Sequence, residues 1–216
     1  MEAMISTRPE CSRRRFLCRA IALPLLAGAL PALVAPLAAA ASAATDEAGL
    51  ALAAGADAAA GALLERRVKA AFLYKFLGYA EFPAAAFDSD TAPLVIGMVG
   101  ADDMAAELIS MVAGRRVGLR PITVRVLHEA DLAQPAHLLF VAGPDDARSA
   151  RLLRASAAPL TVTECDGGLA AGGVINFTIV DDRVRFDVSL DAAEKKNIKL
   201  SSRLLTVANR VQKGAT

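Results

Sequence analysis

The sequence lacks the residues and motifs on which most recognisable catalytic and metal sites depend. It has no tryptophan, two histidines and three cysteines in 216 residues. His128 and His137 are not at the spacing of a metal-binding pair, and no cysteine cluster could complete a zinc site. There is no GxxxxGK[ST] phosphate loop and no GxSxG nucleophile elbow. Missing motifs alone do not exclude an enzyme, but we expect no catalytic, cofactor-binding or metal-binding residues and a protein that is not an enzyme.

The N-terminus has the pattern of a twin-arginine export signal. Arg13 and Arg14 precede an uncharged run rich in alanine and leucine over residues 20–44. Three prolines make that run a poor permanent membrane span, with an uncleaved anchor as the alternative. Ala41-Ser42-Ala43 fits the small-x-small site of signal peptidase. We therefore predict that residues 1–43 are a signal peptide, cleaved after Ala43, and that the mature protein is periplasmic.

An excess of charge of either sign is also lacking. Residues 1–43 hold five of the 24 basic and two of the 23 acidic residues, so the mature chain has a net charge of −2. A nucleic-acid partner would require a basic face, so this balance argues against one.

Cysteine is too scarce for an intramolecular disulfide. Cys11 and Cys18 leave with the signal, so Cys165 remains alone. The acidic neighbours Glu164 and Asp166 should raise the pKa of its thiol and make it a poor nucleophile. A packed thiol is the expectation, with an intermolecular disulfide as the alternative.

Hydrophobic periodicity predicts a flexible lead at residues 44–61 and one domain at residues 62–213. The lead is mostly alanine, glycine and aspartate, although alanine could instead extend the following helix backward. From Ala62 to Ala80 apolar residues recur at three to four positions, which predicts a helix. That helix is apolar most of the way round from Ala70, so it is buried on more than one side or has a stripe that awaits a partner.

Strands alternate with helices along the rest of the domain. Apolar runs predict strands at 94–99, 121–127, 137–141 and 160–163, with helices at 104–112, 129–134 and 147–156 between them. This order predicts a three-layer α/β domain with a mostly parallel sheet. A terminal helix that starts at Ser201 or Ser202 should bury Leu204, Leu205, Ala208 and Val211.

An antiparallel C-terminal hairpin is predicted at the edge of this sheet, from residues 174–180 and 183–190. A two-residue turn at Asp181-Asp182 pairs Phe177 with Phe186 and separates an apolar face from a polar face on both strands. The polar face carries Asn176, Arg185, Asp187 and Ser189.

Six segments in chain order resemble the YfiR-like family. The first is V-K-A-A-F-L-Y-K-F at residues 68–76, with Glu81-Phe82-Pro83, where the family typically reads V-K-A-A-F-L-Y-N-F and then E-W-P. The others are residues 114–122, 137–141, 172–177, 183–187 and 200–205. Phe82 and Ser189 depart from the family's usual tryptophan and asparagine. The cysteines that form disulfides in some members are absent, so no redox switch is expected.

The resemblance implies a non-enzymatic periplasmic regulator. Such a protein binds the periplasmic domain of an inner-membrane signalling protein, a diguanylate cyclase or a sensor kinase. It restrains a cyclase and so lowers cyclic-di-GMP and biofilm formation. The alternatives are a periplasmic sensor that binds a small ligand at the carboxyl ends of its parallel strands, and an uncharacterised enzyme. Homodimerisation is left open.

Two surfaces are candidates for the partner contact. The first choice is the polar face of the hairpin, because Arg185 and Asp187 place a cation and a carboxylate on one outward face. The second is the stripe of the first helix formed by Phe72, Phe76 and Tyr79.

Overall fold

The computed structural model describes residues 43–214, with side chains from residue 55 onward. Arg13 and Arg14 lie outside the described residues, and Ala43 is the first residue within them, so the signal and its cleavage site stay predictions. Of the described residues, 47–214 belong to one compact unit. None of the helices in residues 43–214 has both the length and the apolar character that crossing a membrane requires.

The described residues contain five α-helices, ten strands and two short 3-10 helices. In chain order they are α1 (Ala43–Tyr79), β1 (Ala80–Glu81), a 3-10 helix (Ala84–Ala86), β2 (Leu94–Val99), α2 (Asp102–Val112), β3 (Arg116–Val117), β4 (Arg120–Val126), a 3-10 helix (Glu129–Asp131), β5 (Leu138–Val141), α3 (Asp146–Ala155), β6 (Leu160–Thr163), β7 (Ile175–Val180), β8 (Arg183–Ser189), α4 (Leu190–Lys195), β9 (Lys199–Leu200), α5 (Ser202–Val207) and β10 (Arg210–Gln212).

The main sheet has eight strands in the order β10-β8-β7-β6-β5-β2-β4-β3. The five neighbouring strands from β4 to β7 are all parallel, and β8 returns antiparallel to β7. The mostly parallel sheet and the antiparallel hairpin are therefore confirmed. The chain goes from β2 to β4 on one side and then to β5 on the other, so the order of the strands reverses at β2 and β5. This reversal is a topological switch point.

Both faces of the sheet are covered by helices. Leu138 and Phe140 of β5 belong to a core cluster that also contains residues of α1 and α2. Leu139 on the opposite face packs in a second cluster with Leu152 and Leu153 of α3. Since successive side chains of a strand point to opposite faces, the all-apolar strand requires this three-layer arrangement, as the sequence predicted.

The hairpin has the predicted register, with Phe177 opposite Phe186. Asp181 and Asp182 have φ angles of 50° and 55°. Positive φ at both central residues is typical of the type I′ turn, whose twist matches that of the strands it joins.

The hairpin is not the edge of the sheet, which corrects one prediction. β10 pairs in parallel with β8, from Arg210 beside Asp187 to Gln212 beside Ser189. The terminal helix is correspondingly shorter than predicted, because the chain turns to extended backbone at Ala208 (φ −66°, ψ 145°). Val211 therefore lies on a strand and is 39% exposed instead of being buried under a helix.

The segment predicted as a flexible lead is helical. Helix α1 begins at Ala43 and includes residues 44–61. Alanine has the highest helix propensity of all residues, which favours the backward extension that the sequence left open. Residues 55–64 are exposed, and burial begins in the turns around Lys69 and Ala70.

Candidate functional site

Helix α1, strand β8 and helix α5 together form an apolar groove with a basic rim, here called the α1–β8–α5 groove. Its volume is about 330 Å³. The apolar lining is Phe72, Phe76, Tyr79, Phe186, Leu204 and Val207, and the rim is Lys75, Arg185 and Arg203. Phe76 and Phe186 are buried at its floor, whereas Tyr79 is 39% and Val207 58% exposed.

Local periodicity explains how these side chains meet. Phe72, Phe76 and Tyr79 recur at helical spacing, so α1 turns all three towards β8 and α5. Their aromatic rings pack closely, since the ring centroids of Phe76 and Phe186 are 5.1 Å apart and those of Phe72 and Phe186 are 5.5 Å apart. On α5, Leu204 packs into the core while Val207, one turn later, remains at the mouth of the groove.

The rim of the groove is positively charged. Lys75, Arg185 and Arg203 are exposed, and none of the three forms an ion pair with another residue in the described part of the chain. The groove's lining contains no acidic residue. Its chemistry is therefore that of an apolar cavity surrounded by unneutralised cations.

The groove unites parts of both predicted contact surfaces. Phe72, Phe76 and Tyr79 of the first helix line it together with Arg185 of the hairpin. Phe76 is fully buried, so it is part of the floor and not of an exposed stripe. Sequence periodicity placed the residues of α1 on one face, but it could not show that Arg185 reaches the same place.

The other polar residues of the hairpin form hydrogen bonds with other parts of the chain. Asn176 is buried and accepts a hydrogen bond from Thr163 Oγ1 at 2.7 Å. Ser189 is also buried, and its hydroxyl accepts from the backbone N–H of Ala192 as the N-cap of α4. Asp187 accepts from Asn209 Nδ2 at 2.7 Å.

These three residues line a separate cleft of about 540 Å³, here called the hairpin cleft, whose lining also includes Asp191, Lys195 and Arg210. The expectation of one outward polar face is thus wrong for Asn176 and Ser189. Strand β10 and helix α4 lie beside Asp187 and Ser189, and Thr163 and the loop at Gly168 lie against Asn176, where the sequence predicted solvent.

A buried ion cluster, which the sequence did not reveal, lies at the carboxyl edge of the sheet. Lys69 is 8% exposed, and its Nζ lies 2.5 Å from Glu65 Oε1 and 2.7 Å from Glu164 Oε2. The other oxygen of Glu164 accepts from the backbone N–H of Gly143 at 2.8 Å. Burial lowers the pKa of Lys69, but hydrogen bonds and charges from Glu164 and Glu65 outweigh burial, so the pKa is raised. One signal was present, since Glu65 and Lys69 are spaced four residues apart on the same helix.

Two further cavities flank this cluster, and both are lined by Glu65, Lys69 and Glu164. The larger, about 640 Å³, lies at the carboxyl ends of β2 and β5, where Gly100 and Ala142 follow the strands. We call it the switch-point cavity. The smaller, about 500 Å³, is lined by Gly143 and by residues of β7. Cys165 is buried outside both cavities.

His137 and the remaining cysteine are buried and have structural surroundings. His137 is buried, its Nδ1 accepts from the N–H of Val95 at 3.0 Å, and its Nε2 lies 2.8 Å from the carbonyl oxygen of Ala86. Burial lowers the pKa of His137. Burial also raises the pKa of Cys165, with a contribution from Asp146 and not from the adjacent acids that the sequence suggested. Among residues 43–214, no group of three or more histidine, cysteine or acidic side chains is placed to hold a metal ion.

Comparison with known proteins identifies one family. The model of a family described as YfiR/HmsC-like matches residues 66–209, which confirms the resemblance carried by the six segments. No protein of curated function matches the sequence. A crystal structure of a conserved domain protein from Vibrio cholerae O1 biovar El Tor strain N16961 is 10% identical, with a TM-score of 0.42 over 55% of each chain. The chain thus spans about half the length of that structure, and a likeness at this level supports no argument about function.

Proposed function

We propose, from the premise that this chain belongs to the YfiR/HmsC-like family, that it binds and restrains an inner-membrane signalling protein from the periplasmic side. Membership supports a periplasmic regulatory role in general. Our finer proposal is that the restrained protein is a diguanylate cyclase, so that binding lowers cyclic-di-GMP and biofilm formation. In this role the chain is a binding protein without catalytic activity of its own.

The α1–β8–α5 groove is the observation that carries this proposal. Protein interfaces combine an apolar, aromatic centre with a polar rim in which arginine is enriched. The groove has that composition, since Tyr79 and Val207 leave apolar surface exposed and Arg185 and Arg203 belong to its rim. Seven of its nine lining residues come from three of the segments that resemble the family, at residues 68–76, 183–187 and 200–205.

Restraint by binding requires a difference in affinity. A regulator shifts its target's equilibrium only as far as it binds the inactive state more tightly than the active one. A hundredfold preference corresponds to about 2.7 kcal/mol, which is enough to make a half-active population mostly inactive. Loss of one or two good contacts in the groove would remove an effect of this size.

A second candidate function is the sensing of a small ligand in the switch-point cavity. Open parallel sheets bind ligands at such reversals of strand order, outside the carboxyl ends of the strands. A volume of about 640 Å³ is within the range of small-molecule sites. This function is compatible with the first, because a ligand there would lie beside Lys69 on α1, the same helix that lines the groove.

The test compares exported variants in cells that contain the signalling protein. Val207→Asp and Arg185→Glu alter the α1–β8–α5 groove, whereas Asp187→Lys alters the hairpin cleft. Arg183→Glu is the matched control, because Arg183 is exposed on the same hairpin and does not line the groove. Co-purification of inner-membrane proteins and cellular cyclic-di-GMP are measured, with thermal melting as the check on folding.

We expect Val207→Asp and Arg185→Glu to lose the membrane partner and raise cyclic-di-GMP, while Arg183→Glu behaves as the wild type. If Asp187→Lys alone has this effect, the contact surface is the hairpin cleft. If no folded variant changes either readout, neither surface restrains a cyclase.

A further inference from the structure

We infer that the α1–β8–α5 groove accepts an acidic peptide segment with an apolar anchor, meaning an aliphatic or aromatic side chain flanked by carboxylates. This inference rests on the proposed function and adds the chemistry of the partner that the groove selects. Three observations support it: the positive charge of the rim, the buried apolar floor, and the repulsion between rims that a symmetric contact of two copies would cause.

Unlike several arginines of α1 and α3, the three cations of the rim have no acidic partner among the described residues. On the exposed turns of α1, Arg66 and Arg67 are paired with Asp103 and Glu107 of α2. On α3, Arg148 is paired with Glu129. These arginines of α1 and α3 are thus neutralised by acidic residues of neighbouring elements.

At the groove the pattern is different. Lys75, Arg185 and Arg203 come from three separate elements, converge on one cavity and have no carboxylate among the lining residues. Convergent cations repel one another, and this repulsion is relieved when an anionic group binds. Arginine is suited to such a contact because its guanidinium can bind a carboxylate through two hydrogen bonds.

The floor of the groove requires an apolar group in addition to the charge. Phe76, Phe186 and Leu204 are buried, and Val207 leaves apolar surface exposed at the mouth. The volume of about 330 Å³ is at the lower end of binding pockets. This suits one or two side chains of an extended or helical segment, and it is too small for a folded element.

A second copy of this chain fits the groove poorly. Dimers with two-fold symmetry place the same patch of both subunits in contact. A dimer whose two-fold axis passes through the groove would set the three cations of one groove against those of the other. A bilayer surface also fits less well, because anionic headgroups could neutralise the rim but would not fill a concave apolar floor.

The test is a selection of peptides from a random 12-residue display library on the purified, exported chain. Selected peptides are resynthesised with a fluorophore, and their dissociation constants are measured by anisotropy. They are compared on the wild type, on the triple variant Lys75→Glu/Arg185→Glu/Arg203→Glu, on Val207→Asp and on the control Arg183→Glu. The same proteins are tested against vesicles of phosphatidylglycerol and by analytical ultracentrifugation.

We expect the selected peptides to contain aspartate or glutamate beside a large apolar residue. The triple variant and Val207→Asp should each weaken their binding at least about tenfold, Arg183→Glu should not, and added salt should weaken it further. Replacing the peptide's acids with the corresponding amides should reproduce the loss. If the triple variant destabilises the fold, the single variants Arg185→Glu and Arg203→Glu give the same comparison.

Selected peptides without enrichment in acids, or peptides that bind the folded triple variant as tightly as the wild type, would overturn the inference. Vesicle binding or self-association that depends on the rim, without peptide binding, would also overturn it by assigning the groove to a membrane or to a second copy. Peptide binding together with unchanged cyclic-di-GMP in every folded variant, Asp187→Lys included, would sustain this inference and refute the proposed function.

Discussion

Substitution of Lys69 by methionine tests the buried ion cluster at the carboxyl edge of the sheet. Methionine keeps an unbranched side chain and a high helix propensity, so the change mainly removes the charge. Loss of one partner from a fully buried ion pair costs about 3–5 kcal/mol. Since the side chains of Glu65 and Glu164 are 40% and 21% exposed, water stabilises part of the orphaned charge. We therefore expect the free energy of unfolding to fall by about 2–3 kcal/mol.

Urea denaturation followed by circular dichroism measures this loss. With a slope of about 1–3 kcal/mol per molar urea, the midpoint should fall by roughly 1–2 M. Lys75→Met is the matched control, because Lys75 is exposed on the same helix and its replacement should change stability by less than about 0.5 kcal/mol. Equal midpoints for the two variants would show that the cluster does not stabilise the fold.

Two further measurements separate charge from packing. Glu164→Gln, added to Lys69→Met, removes the orphaned charge and keeps an acceptor for the N–H of Gly143. The free energy of unfolding of the double variant should therefore be about 1–2 kcal/mol higher than the sum of the two single effects predicts. The pKa of Lys69 is raised above 10.5 in the folded state. Its contribution is therefore complete below pH 10.5 and is lost as the pH rises through the folded pKa. Above pH 10.5 the difference between the wild type and Lys69→Met should shrink, and a constant difference would contradict an electrostatic origin.

Three other predictions follow from local geometry. Because burial lowers the pKa of His137, the unfolded chain takes up a proton that the folded chain does not, so stability should fall as the pH drops below 6.5. Thermal melts of the wild type and His137→Gln across this range check it, and identical slopes would disprove it. Cys165 should react with a thiol reagent far more slowly in the native protein than in urea, and fast native labelling would show that the site opens. Asp181→Asn combined with Asp182→Gly should stabilise the type I′ turn by about 0.5–1 kcal/mol, which calorimetry would register as a higher melting temperature, whereas a lower one would contradict the turn type.

Periodicity predicted most of the sheet because its signals are local. The alternation of residues 174–190 contains the hairpin register, and the apolar runs contain β2, β5 and β6. Strand β10 could not be predicted in this way, since Arg210-Val211-Gln212 is short and largely polar, and its strand conformation follows from pairing with β8. The same pairing places β10 beside Asp187 and Ser189, at the end of β8 away from the turn, where the sequence predicted exposure to solvent.

The candidate site depends on contacts between distant parts of the chain. Helical spacing showed that Phe72 and Phe76 share a face, but nothing local relates them to Arg203 or Val207. Lys69 and Glu164 are likewise 95 residues apart, and only the folded sheet brings β6 beside α1. Sequence therefore supplied the components of the α1–β8–α5 groove, whereas tertiary packing determined their combination.

The exposed portion of α1 at residues 55–64 has a consequence in terms of helix–coil theory. Starting an isolated helix is unfavourable, with a nucleation constant of about 10⁻³. Here the packed turns that begin at Lys69 already provide the nucleus, so extension towards the N-terminus depends only on the propagation step of each residue.

The propagation step is near its most favourable value for alanine, and it is less favourable by roughly 1 kcal/mol at Gly55 and at Gly61. Nothing lies within 4 Å of the position that a side chain would occupy at either glycine. The average helical length beyond the packed domain is thus set by composition and temperature. Alanine at these two positions would lengthen it without altering a single packed contact.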